Sequence, residues 1–327
     1  MHVIDDLGIA FVMLVHRNPT PQPPSRVVVL GSHGFIASRL IRTLPSKGIA
    51  SRAVASAEVD LTARSAGAKL PRILMSADAL VVTSALTPEH GRDRDTFLKN
   101  VAMIDTLCAA LQHAPCTHVI YLSSDSVYDS RVEMVDEDTP CESNDLYALA
   151  HMAREKLLED ACRTAGVPLA IIRPCAVYGA GDTHNSYGPN RFLRTARGEG
   201  RIVLFGEGEE ERDHIYIDDV IRIIHMSLLR ASTGVINAVS GTAVSFHEVA
   251  YKIVAALGIP VRIETTPRKV PITHKHFQAA ALHEAFPGYV TASLDQGIRK
   301  TIAQLSGADT GAFSYPRMIM KELDGAK

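Results

Sequence analysis

Val27-Val28-Val29-Leu30-Gly31-Ser32-His33-Gly34-Phe35-Ile36-Ala37 is the stretch on which the interpretation of the whole chain depends. Its apolar start has the length of a buried strand, and a helical pattern of apolar residues follows it. Gly31 permits a sharp turn, Gly34 leaves room for a pyrophosphate beside the backbone amides, and the small Ala37 lets the helix lie close to the strand. The free N–H groups and the positive dipole end at the start of that helix attract phosphate. The stretch therefore predicts a phosphate-binding turn between a strand and a helix.

The composition is that of an ordinary globular protein, with 327 residues, 46% of them hydrophobic and 21% charged. The formal net charge of −2 gives no general attraction to nucleic acid or to an anionic membrane surface. No stretch has the length needed to span a bilayer, so we expect neither a membrane nor a nucleic-acid partner. The five cysteines are scattered and lack the spacing of metal ligands, which is typical of reduced thiols in the cytoplasm. We therefore expect a cytoplasmic protein without a metal site.

The first 25 residues differ from the rest of the chain. An apolar run over 8–15 follows Asp5 and Asp6 instead of a basic segment, so a secretory signal is not expected. The proline-rich run Pro19-Thr20-Pro21-Gln22-Pro23-Pro24 predicts an extended spacer. We therefore interpret residues 1–25 as an N-terminal tail outside the fold.

Strands and helices alternate along the first half of the chain. The pattern predicts helices over 96–111 and 146–165 and, after the first strand, further strands over 52–55, 58–61, 79–84, 118–124 and 167–173. This alternation indicates an α/β fold built on a Rossmann-type doubly wound parallel sheet. Ligands of such sheets bind beyond the carboxyl ends of the strands, so the residues at those ends are expected to line one crevice: Gly31, Ser84, Ser124 and Pro174.

The second half of the chain has a looser pattern, rich in glycine and polar residues. It predicts helices over 191–196, 215–229, 247–257 and 294–305 and a strand over 235–239. We interpret residues 26–175, together with about 215–240, as a dinucleotide-binding domain. The remainder, about 176–214 and 241–327, is then a smaller, interleaved C-terminal domain that binds the substrate.

Three side chains in the predicted crevice are suited to chemistry. Ser124 ends a strand, Asp125 follows it, and Tyr147 begins a helix 23 residues later. A phenol has a pKa near 10, so at neutral pH it acts as an acid or base only where a nearby cation and a nicotinamide ring stabilise its anion. A serine hydroxyl beside it can hold the substrate oxygen. His151 follows Tyr147 by one helical turn and lies on the same face of the helix.

Five motifs, taken in order, carry a resemblance to a known family. They are Gly31-x-x-Gly34-x-x-Ala37, Leu122-Ser123-Ser124-Asp125-Ser126-Val127-Tyr128, Tyr147-x-x-x-His151, Arg173-Pro174-x-x-Val177-Tyr178-Gly179 and Arg212-Asp213-His214-Ile215-Tyr216-Ile217-Asp218-Asp219-Val220. Together they resemble the extended short-chain dehydrogenase/reductases, in particular the NAD-dependent epimerase/dehydratase family, which acts mainly on nucleotide sugars. The resemblance covers residues 26–305, nearly the whole chain.

The resemblance implies a role for each matching residue. The implied catalytic residues are Ser124, Tyr147 as acid/base, His151 and Asp125. The implied cofactor contacts are the glycine turn with the start of its helix, the residues beside the adenine, the strand end near the nicotinamide ribose and two catalytic residues: Gly31, Gly34, Phe35, Ile36, Asp60, Leu61, Ser84, Ala85, Tyr147 and His151. The implied substrate contacts are Ser124, Asn190 and Arg212, whose guanidinium suits a sugar diphosphate by its bidentate geometry.

Two positions depart from the family pattern. The family tyrosine is normally followed at i+4 by a lysine, whose charge lowers the pKa of the tyrosine, whereas this chain has His151. A partly protonated imidazole would supply part of that charge, which predicts slow chemistry with a lower pH optimum, or else cofactor binding without turnover. Ala55 and Ser56 stand where NAD-preferring members carry an acidic residue. The expected cofactor is therefore NAD or NADP, with a slight lean to NADP.

The leading hypothesis is an NAD(P)-dependent oxidoreductase or epimerase that acts on a nucleotide-linked sugar. A hydride would pass between the nicotinamide and a sugar carbon, while Tyr147 moves the hydroxyl proton and Ser124 orients the oxygen. Dehydration is disfavoured, because Ser126 stands where sugar dehydratases carry a glutamate. The alternative is a catalytically weak or inactive NAD(P)-binding protein that senses the cofactor or acts through partners, and His151 favours it. By analogy with the family, a homodimer is expected.

Some residues keep a structural alternative. Arg212 has the alternative of a salt bridge within the acidic loop over 207–213. His184, His274 and His276 lack a convincing ligand spacing and are expected to be solvated.

Overall fold

The computed structural model describes residues 13–63, 65–182 and 184–308. These residues form fourteen strands: β1 (Val15–His16), β2 (Arg26–Leu30), β3 (Ser51–Val54), β4 (Asp78–Val82), β5 (His118–Leu122), β6 (Met134–Val135), β7 (Leu169–Pro174), β8 (Ala176–Tyr178), β9 (Arg201–Phe205), β10 (Glu211–Tyr216), β11 (Ser232–Ala238), β12 (Ala243–Ser245), β13 (Arg262–Thr266) and β14 (His276–Phe277). They also form nine α-helices: α1 (Phe35–Thr43), α2 (Ala66–Ile73), α3 (Arg94–His113), α4 (Leu146–Ala165), α5 (Pro189–Glu199), α6 (Ile217–Arg230), α7 (Phe246–Leu257), α8 (Ala280–Ala285) and α9 (Leu294–Ala308).

Seven strands form the central sheet in the order β1-β11-β7-β5-β4-β2-β3. From β11 to β3 every neighbouring pair is parallel, whereas β1 is antiparallel to β11. Alternate residues of β2 enter two different cores, Val27 and Val29 on one face of the sheet and Val28 and Leu30 on the other. A parallel strand buried on both faces needs such a continuous apolar run. The predicted α/β class and Rossmann-type sheet are therefore confirmed.

The position of β2 between β3 and β4 creates the crevice of the sheet. Helix α1, which follows β2, packs into the core on one face through Leu40, and α3, which follows β4, packs on the other face through Leu107. The connections that leave this part of the sheet therefore run on opposite faces and open a gap at the carboxyl ends of β2 and β4. Open parallel sheets bind their ligands at such a switch point.

One predicted strand, over residues 58–61, is wrong. The amide of Val59 donates to the Ala55 carbonyl at 3.0 Å, and the Asp60 carboxylate accepts from the Thr62 amide at 2.9 Å. These local bonds turn the chain, because an Asp side chain that caps a nearby amide competes with the ladder of a sheet.

The interpretation of the first 25 residues as a tail outside the fold is wrong for those that the structure describes. The β1 strand pairs with β11, and Leu14 is buried. The His16 imidazole lies 2.9 Å from the Ser232 hydroxyl and 2.7 Å from the Ala285 carbonyl. The reason is the free edge of β11, whose backbone groups take a partner. Residues 1–12 lie outside the described residues.

The second half of the chain forms smaller sheets and returns to the large one. Its strands pair as β12-β10-β8 and as β13-β9, its strand β14 pairs with β6 of the first half, and α6 and β11 rejoin the central sheet. One apolar core includes Val27 of β2, Ile215 of β10 and Ile253 of α7, so this part of the chain and the sheet share a core, and the division into two domains stays a prediction. Among the described residues, no helix is long and apolar enough to cross a membrane.

A buried ion pair fixes α4 against the sheet. The guanidinium of Arg173, at the end of β7, donates to both carboxylate oxygens of Glu155 on α4, at 3.0 and 2.6 Å, and to the Tyr128 hydroxyl at 3.0 Å. A buried pair of this bidentate kind holds its two elements in one geometry, since either partner alone would be a buried uncompensated charge. It sets the position of the helix that carries Tyr147 and His151.

Candidate active site

The glycine turn lies directly against the end of β4. Gly31 has φ +84°, and a Cβ added there would lie 2.8 Å from both Cα and N of Ser84. The Gly34 amide closes the turn on the Gly31 carbonyl at 2.9 Å, and α1 begins at the next residue, Phe35. Phe35 is buried beneath the turn and Ile36 is half-buried. This close approach of backbone to backbone leaves the start of α1 as the cradle that a pyrophosphate requires.

The segment after β4 is held by two buried polar side chains. Asn100 of α3 accepts from the Leu86 amide and donates to its carbonyl, both at 2.9 Å. Arg154 of α4 donates to the Ser84 carbonyl at 2.5 Å and to the Asn100 carbonyl at 2.7 Å. Ala85 lies half-buried between the two fixed points. The Ser84 hydroxyl is buried, with no hydrogen-bond partner among the described residues.

Ser124 and Tyr147 lie together at the ends of β5 and the start of α4. Ser124 begins a short 3-10 turn, and the Ser126 hydroxyl donates to its oxygen at 2.9 Å. Asp145 caps α4 by accepting from the Tyr147 amide at 2.8 Å. Burial raises the pKa of the Tyr147 phenol, while hydrogen bonding to the Ser124 side chain opposes that rise. The two predicted hydroxyl groups are thus brought together, and the phenol is protonated at neutral pH.

His151 does not carry the charge that the sequence suggested. Its ring centroid lies 4.7 Å from that of Tyr147, edge to face, and the side chain is buried. Burial and the nearby positive charge of Arg154 lower the pKa of His151 to about 3. The expectation of a partly protonated imidazole at neutral pH is therefore wrong, while the pH optimum of turnover stays a prediction. His151 is neutral in the folded protein.

A hydrogen-bond chain decides which nitrogen of His151 carries the proton. The Nε–H of Arg154 donates to the Tyr121 hydroxyl at 2.9 Å, and Nδ1 of His151 lies 2.8 Å from the same oxygen. An arginine only donates, so its bond uses one lone pair of the Tyr121 oxygen and leaves the phenol proton free. Nδ1 of His151 is an acceptor within hydrogen-bond distance of that buried O–H, and we infer that the phenol proton lies on this bond. The imidazole proton is then on Nε2, which is buried with no hydrogen-bond partner among the described residues. His151 therefore offers an N–H donor, the kind of group that holds a ribose hydroxyl.

The remaining polar groups at this end of the sheet surround Asp125. Burial raises the pKa of the Asp125 carboxyl group, and the positive charges of Lys275 and Arg212 oppose the rise. The Lys275 ammonium also donates to the Asp125 carbonyl at 2.8 Å. Arg212 is paired with Glu210 and donates to the Glu211 carbonyl at 2.9 Å. The structure thus brings Arg212 near the serine loop and also forms the local ion pair that the sequence allowed.

Two other predicted contacts have structural partners. The Asn190 amide oxygen accepts from the Gly179 amide at 3.0 Å and so ties α5 to the end of β8. Asp60 is exposed, its carboxylate is bonded to Thr62, and Leu61 is buried in the core. The cofactor and substrate roles of these residues stay predictions.

The sequence missed several polar residues of this region. Nothing in the sequence around Arg154 and Tyr121 marks them as site residues, beyond their being polar positions in α4 and β5. Lys275 could not be recognised because it lies far along the chain from the Asp125 carbonyl that it contacts. The solvated state expected for His184 is wrong, because it forms an ion pair with Glu89.

The charge of the Glu89–His184 pair acts on Tyr147. Burial alone would raise the pKa of Glu89, but hydrogen bonds to His184 and Thr87 outweigh it and lower the pKa to about 2. The hydrogen bond to Glu89 raises the pKa of His184. The negative charge of Glu89 further raises the pKa of Tyr147, which keeps that phenol protonated.

The sheet, the glycine turn and the Ser124–Tyr147 pair define an extended short-chain dehydrogenase/reductase. A model of the NAD dependent epimerase/dehydratase family matches residues 27–239, and the chain belongs to this family.

Individual proteins are related to the chain at low identity. It is 26% identical over 189 residues to the low-salt glycan biosynthesis protein Agl12 of Haloferax volcanii, over 56% of this chain and 61% of that protein. It is 24% identical over 284 residues to a dTDP-4-dehydro-6-deoxy-D-allose reductase of Streptomyces bikiniensis, over 74% of this chain and 84% of that one. The structure of MoeE5 in complex with UDP-glucose and NAD has a TM-score of 0.75 at 22% identity, covering 86% of this chain and 99% of that chain. The match to the first relative spans less than two thirds of its length.

Proposed function

We propose that the chain is an NAD(P)-dependent oxidoreductase that reduces a keto group of a nucleotide-linked sugar. The observation that carries the proposal is the protonated Tyr147 phenol beside the Ser124 hydroxyl, at the carboxyl ends of the parallel strands. The family of the chain and the reductase among its relatives support the same chemistry.

The residues of the site fit a dinucleotide. The Gly31 turn leaves the amides at the start of α1 open to a pyrophosphate, and two buried polar atoms, Ser84 Oγ and His151 Nε2, have no hydrogen-bond partner within the described ranges. A buried polar group without a partner lowers the stability of the fold unless a ligand or a water forms a hydrogen bond with it. When bound, the nicotinamide supplies the hydride. The strand end at residues 54–56 lacks a carboxylate, which favours NADP over NAD.

The protonated phenol is suited to donate a proton to the substrate. Tyr147 keeps its proton at neutral pH, because burial, Asp125 and Glu89 all raise its pKa. A protonated phenol donates its proton to the oxygen of a sugar carbonyl as that oxygen becomes a hydroxyl. Ser124, itself held by Ser126, orients the same oxygen. The arrangement therefore suits reduction of a carbonyl, whereas the oxidation that begins an epimerisation needs the phenolate, which a bound nicotinamide ring would help to stabilise.

In place of the family lysine, the neutral His151 supplies a hydrogen-bond donor for the cofactor. Its Nε2–H donates to a ribose hydroxyl and positions the cofactor, but it adds no charge to stabilise a phenolate. Near the substrate, Lys275 and Arg212 form a positively charged pair beside Asp125, which suits a diphosphate.

The test is a binding and turnover assay with the full chain. Titration with NAD and NADP is expected to give tighter binding of NADP, and a panel of nucleotide-linked keto sugars is expected to oxidise the reduced cofactor, followed by its absorbance. Tyr147→Phe is expected to keep cofactor binding and to lose about 100-fold or more of turnover. Cofactor binding with no turnover on any keto sugar would overturn the reductase and favour the cofactor-sensing alternative. A tenfold preference for NAD would overturn the lean to NADP.

We also propose that the protein is a homodimer through α3 and α4. Two leucines on these neighbouring helices are exposed, Leu98 at 44% and Leu157 at 36%. Light scattering of the purified protein is expected to give twice the chain mass, and Leu157→Glu to reduce it. A monomeric mass for the wild type would contradict the proposal.

A further inference from the structure

A group of metal-ligating side chains lies outside the proposed catalytic residues. Glu211 begins β10, and His274 and His276 lie on the extended segment that leads into β14. The two segments are joined by a bridge between Arg212 and Lys275. One ligand atom from each of Glu211, His274 and His276 lies within 4.8 Å of the other two. The expectation that these two histidines are solvated is wrong, since both contact Glu211.

Extended geometry puts both imidazoles on one side of the segment. Alternate residues of an extended chain point to the same face, so His274 and His276 face Glu211 while Lys275 points away. Lys275 accordingly donates to the Asp125 carbonyl at 2.8 Å, on the other side. The ammonium group that sits between the two histidines in sequence is therefore kept away from the space between their rings.

We propose that Glu211, His274 and His276 bind a divalent transition-metal ion, with Zn²⁺ as the type case. Two imidazoles and one carboxylate are a ligand set that Zn²⁺ uses when it keeps a fourth position open to water or to an anionic oxygen. Ligand atoms about 2.1 Å from a tetrahedral ion lie about 3.4 Å from one another. The Glu211 Oε2 atom is 2.8 Å from Nε2 of His276 and 3.9 Å from Nδ1 of His274, on either side of that distance.

The present hydrogen bonds of the cluster are those that a cation would replace. Nδ1 of His274 accepts from the Glu211 amide at 3.2 Å, a long bond that uses the same lone pair as a metal ion. A second carboxylate stands behind the cluster, since Glu133 lies 3.9 Å from Nδ1 of His276. The negative charge of Glu133 on that side of the ring favours a cation at the opposite nitrogen, Nε2. The two carboxylates also offset the nearby positive charge of Arg212, which is itself paired with Glu210.

The test titrates Zn²⁺ alone into the full chain and measures both stoichiometry and thermal unfolding. The variant His274→Ala/His276→Ala is compared with His113→Ala/His283→Ala, which removes two exposed histidines outside the cluster. The wild type and the control are expected to bind one Zn²⁺ per chain and to unfold at higher temperature with it. The cluster variant is expected to bind about 100-fold more weakly or worse, because it lacks two of three ligands.

Equal Zn²⁺ binding by the cluster variant and the control would overturn the proposal, as would a wild type that binds no stoichiometric Zn²⁺. A second measurement does not depend on the folding of a variant. Co²⁺ added to the wild type is expected to give the intense visible bands of a tetrahedral site with nitrogen and oxygen ligands, and Glu211→Gln is expected to weaken them. Only the weak bands of hydrated Co²⁺ would also overturn it. None of these readouts uses enzymatic activity, so the metal site and the proposed reductase can fail separately.

Discussion

The Tyr121 hydroxyl lies 2.8 Å from Nδ1 of His151 and 2.9 Å from Nε of Arg154, so one phenol oxygen joins the cation to the imidazole. All three side chains are buried. Because the arginine can only donate, the phenol proton is free for Nδ1, and we infer that the imidazole proton lies on Nε2, which has no hydrogen-bond partner among the described residues. In this arrangement the neutral imidazole of His151, held by Tyr121, is the hydrogen-bond donor at the position where the family has a lysine ammonium.

The first prediction concerns Tyr121→Phe, which removes the oxygen but keeps the ring. Arg154 and His151 each lose a buried partner, so we expect about 1–3 kcal/mol less stability in urea unfolding. Nitrogen NMR of the histidine rings is expected to give the Nε2–H tautomer of His151 in the wild type and a mixture in the variant. Tyr251→Phe, at an exposed position, is the control. An Nδ1–H tautomer in the wild type would refute the inferred direction of the chain.

The second prediction concerns the family lysine. His151→Lys places a second cation beside Arg154 in a buried site, so we expect about 3 kcal/mol of lost stability and no gain in turnover. The double change His151→Lys/Arg154→Leu removes the repulsion and is expected to exceed the single variant in turnover by about tenfold, with Arg154→Leu alone as the control. A single variant that equals or exceeds the double variant would contradict the role given to Arg154.

The third prediction separates backbone strain from steric contact in the glycine turn. Gly31 and Gly48 both have positive φ, +84° and +72°, but a Cβ meets Ser84 only at Gly31 and has nothing within 4 Å at Gly48. Gly48→Ala is expected to cost about 1 kcal/mol of stability and to leave cofactor binding unchanged. Gly31→Ala is expected to cost more and to weaken cofactor binding by at least about tenfold. Equal effects in the two variants would mean that the contact with Ser84 is unimportant.

The fourth prediction concerns acid stability. Burial lowers the pKa of His118 to about 4, although its bond to the Ser232 carbonyl opposes the shift. In the unfolded chain His118 is protonated below about pH 6.5, whereas in the folded protein it is protonated only below about pH 4. The free energy of unfolding therefore falls as the pH falls through that window. At pH 5 this amounts to about 2 kcal/mol for one such histidine.

The measurement is urea unfolding at pH 7 and pH 5. His118→Gln keeps an amide donor for Ser232 and is expected to reduce the loss of stability on acidification by about 2 kcal/mol. The exposed His113→Gln is the control and is expected to leave the loss unchanged. His151 and His214, whose pKa values burial also lowers, account for part of the remaining loss. An unchanged loss in His118→Gln would mean that its imidazole titrates normally.

Local signals were enough to predict much of the fold and part of the site. The helix predicted over 146–165 is α4 itself, because its apolar period, its Asp145 cap and Gly166 after its end are all encoded within the segment. The position of Ser124 followed from the rule that strand ends of a parallel sheet meet at one edge, whereas Tyr147 was placed beside it by its spacing and by the family resemblance.

The features that the sequence did not reveal depend on long-range contacts. Arg154 reads as a polar helix residue until β4 and α3 bring the Ser84 and Asn100 carbonyls to it. The charge state of His151 depends on burial and on that arginine, which no spacing encodes. The turn over 58–61 resembled a strand because its apolar residues do enter the core, although its backbone does not extend.

The antiparallel pairing of β1 with β11 affects how the protein tolerates truncation at its N-terminal side. A chain shortened to begin at Arg26 would present the bare outer edge of β11, a row of unpaired amides and carbonyls on which strands of other copies can add. The short N-terminal strand therefore protects this edge from aggregation, and we expect its removal to lower the solubility of the protein.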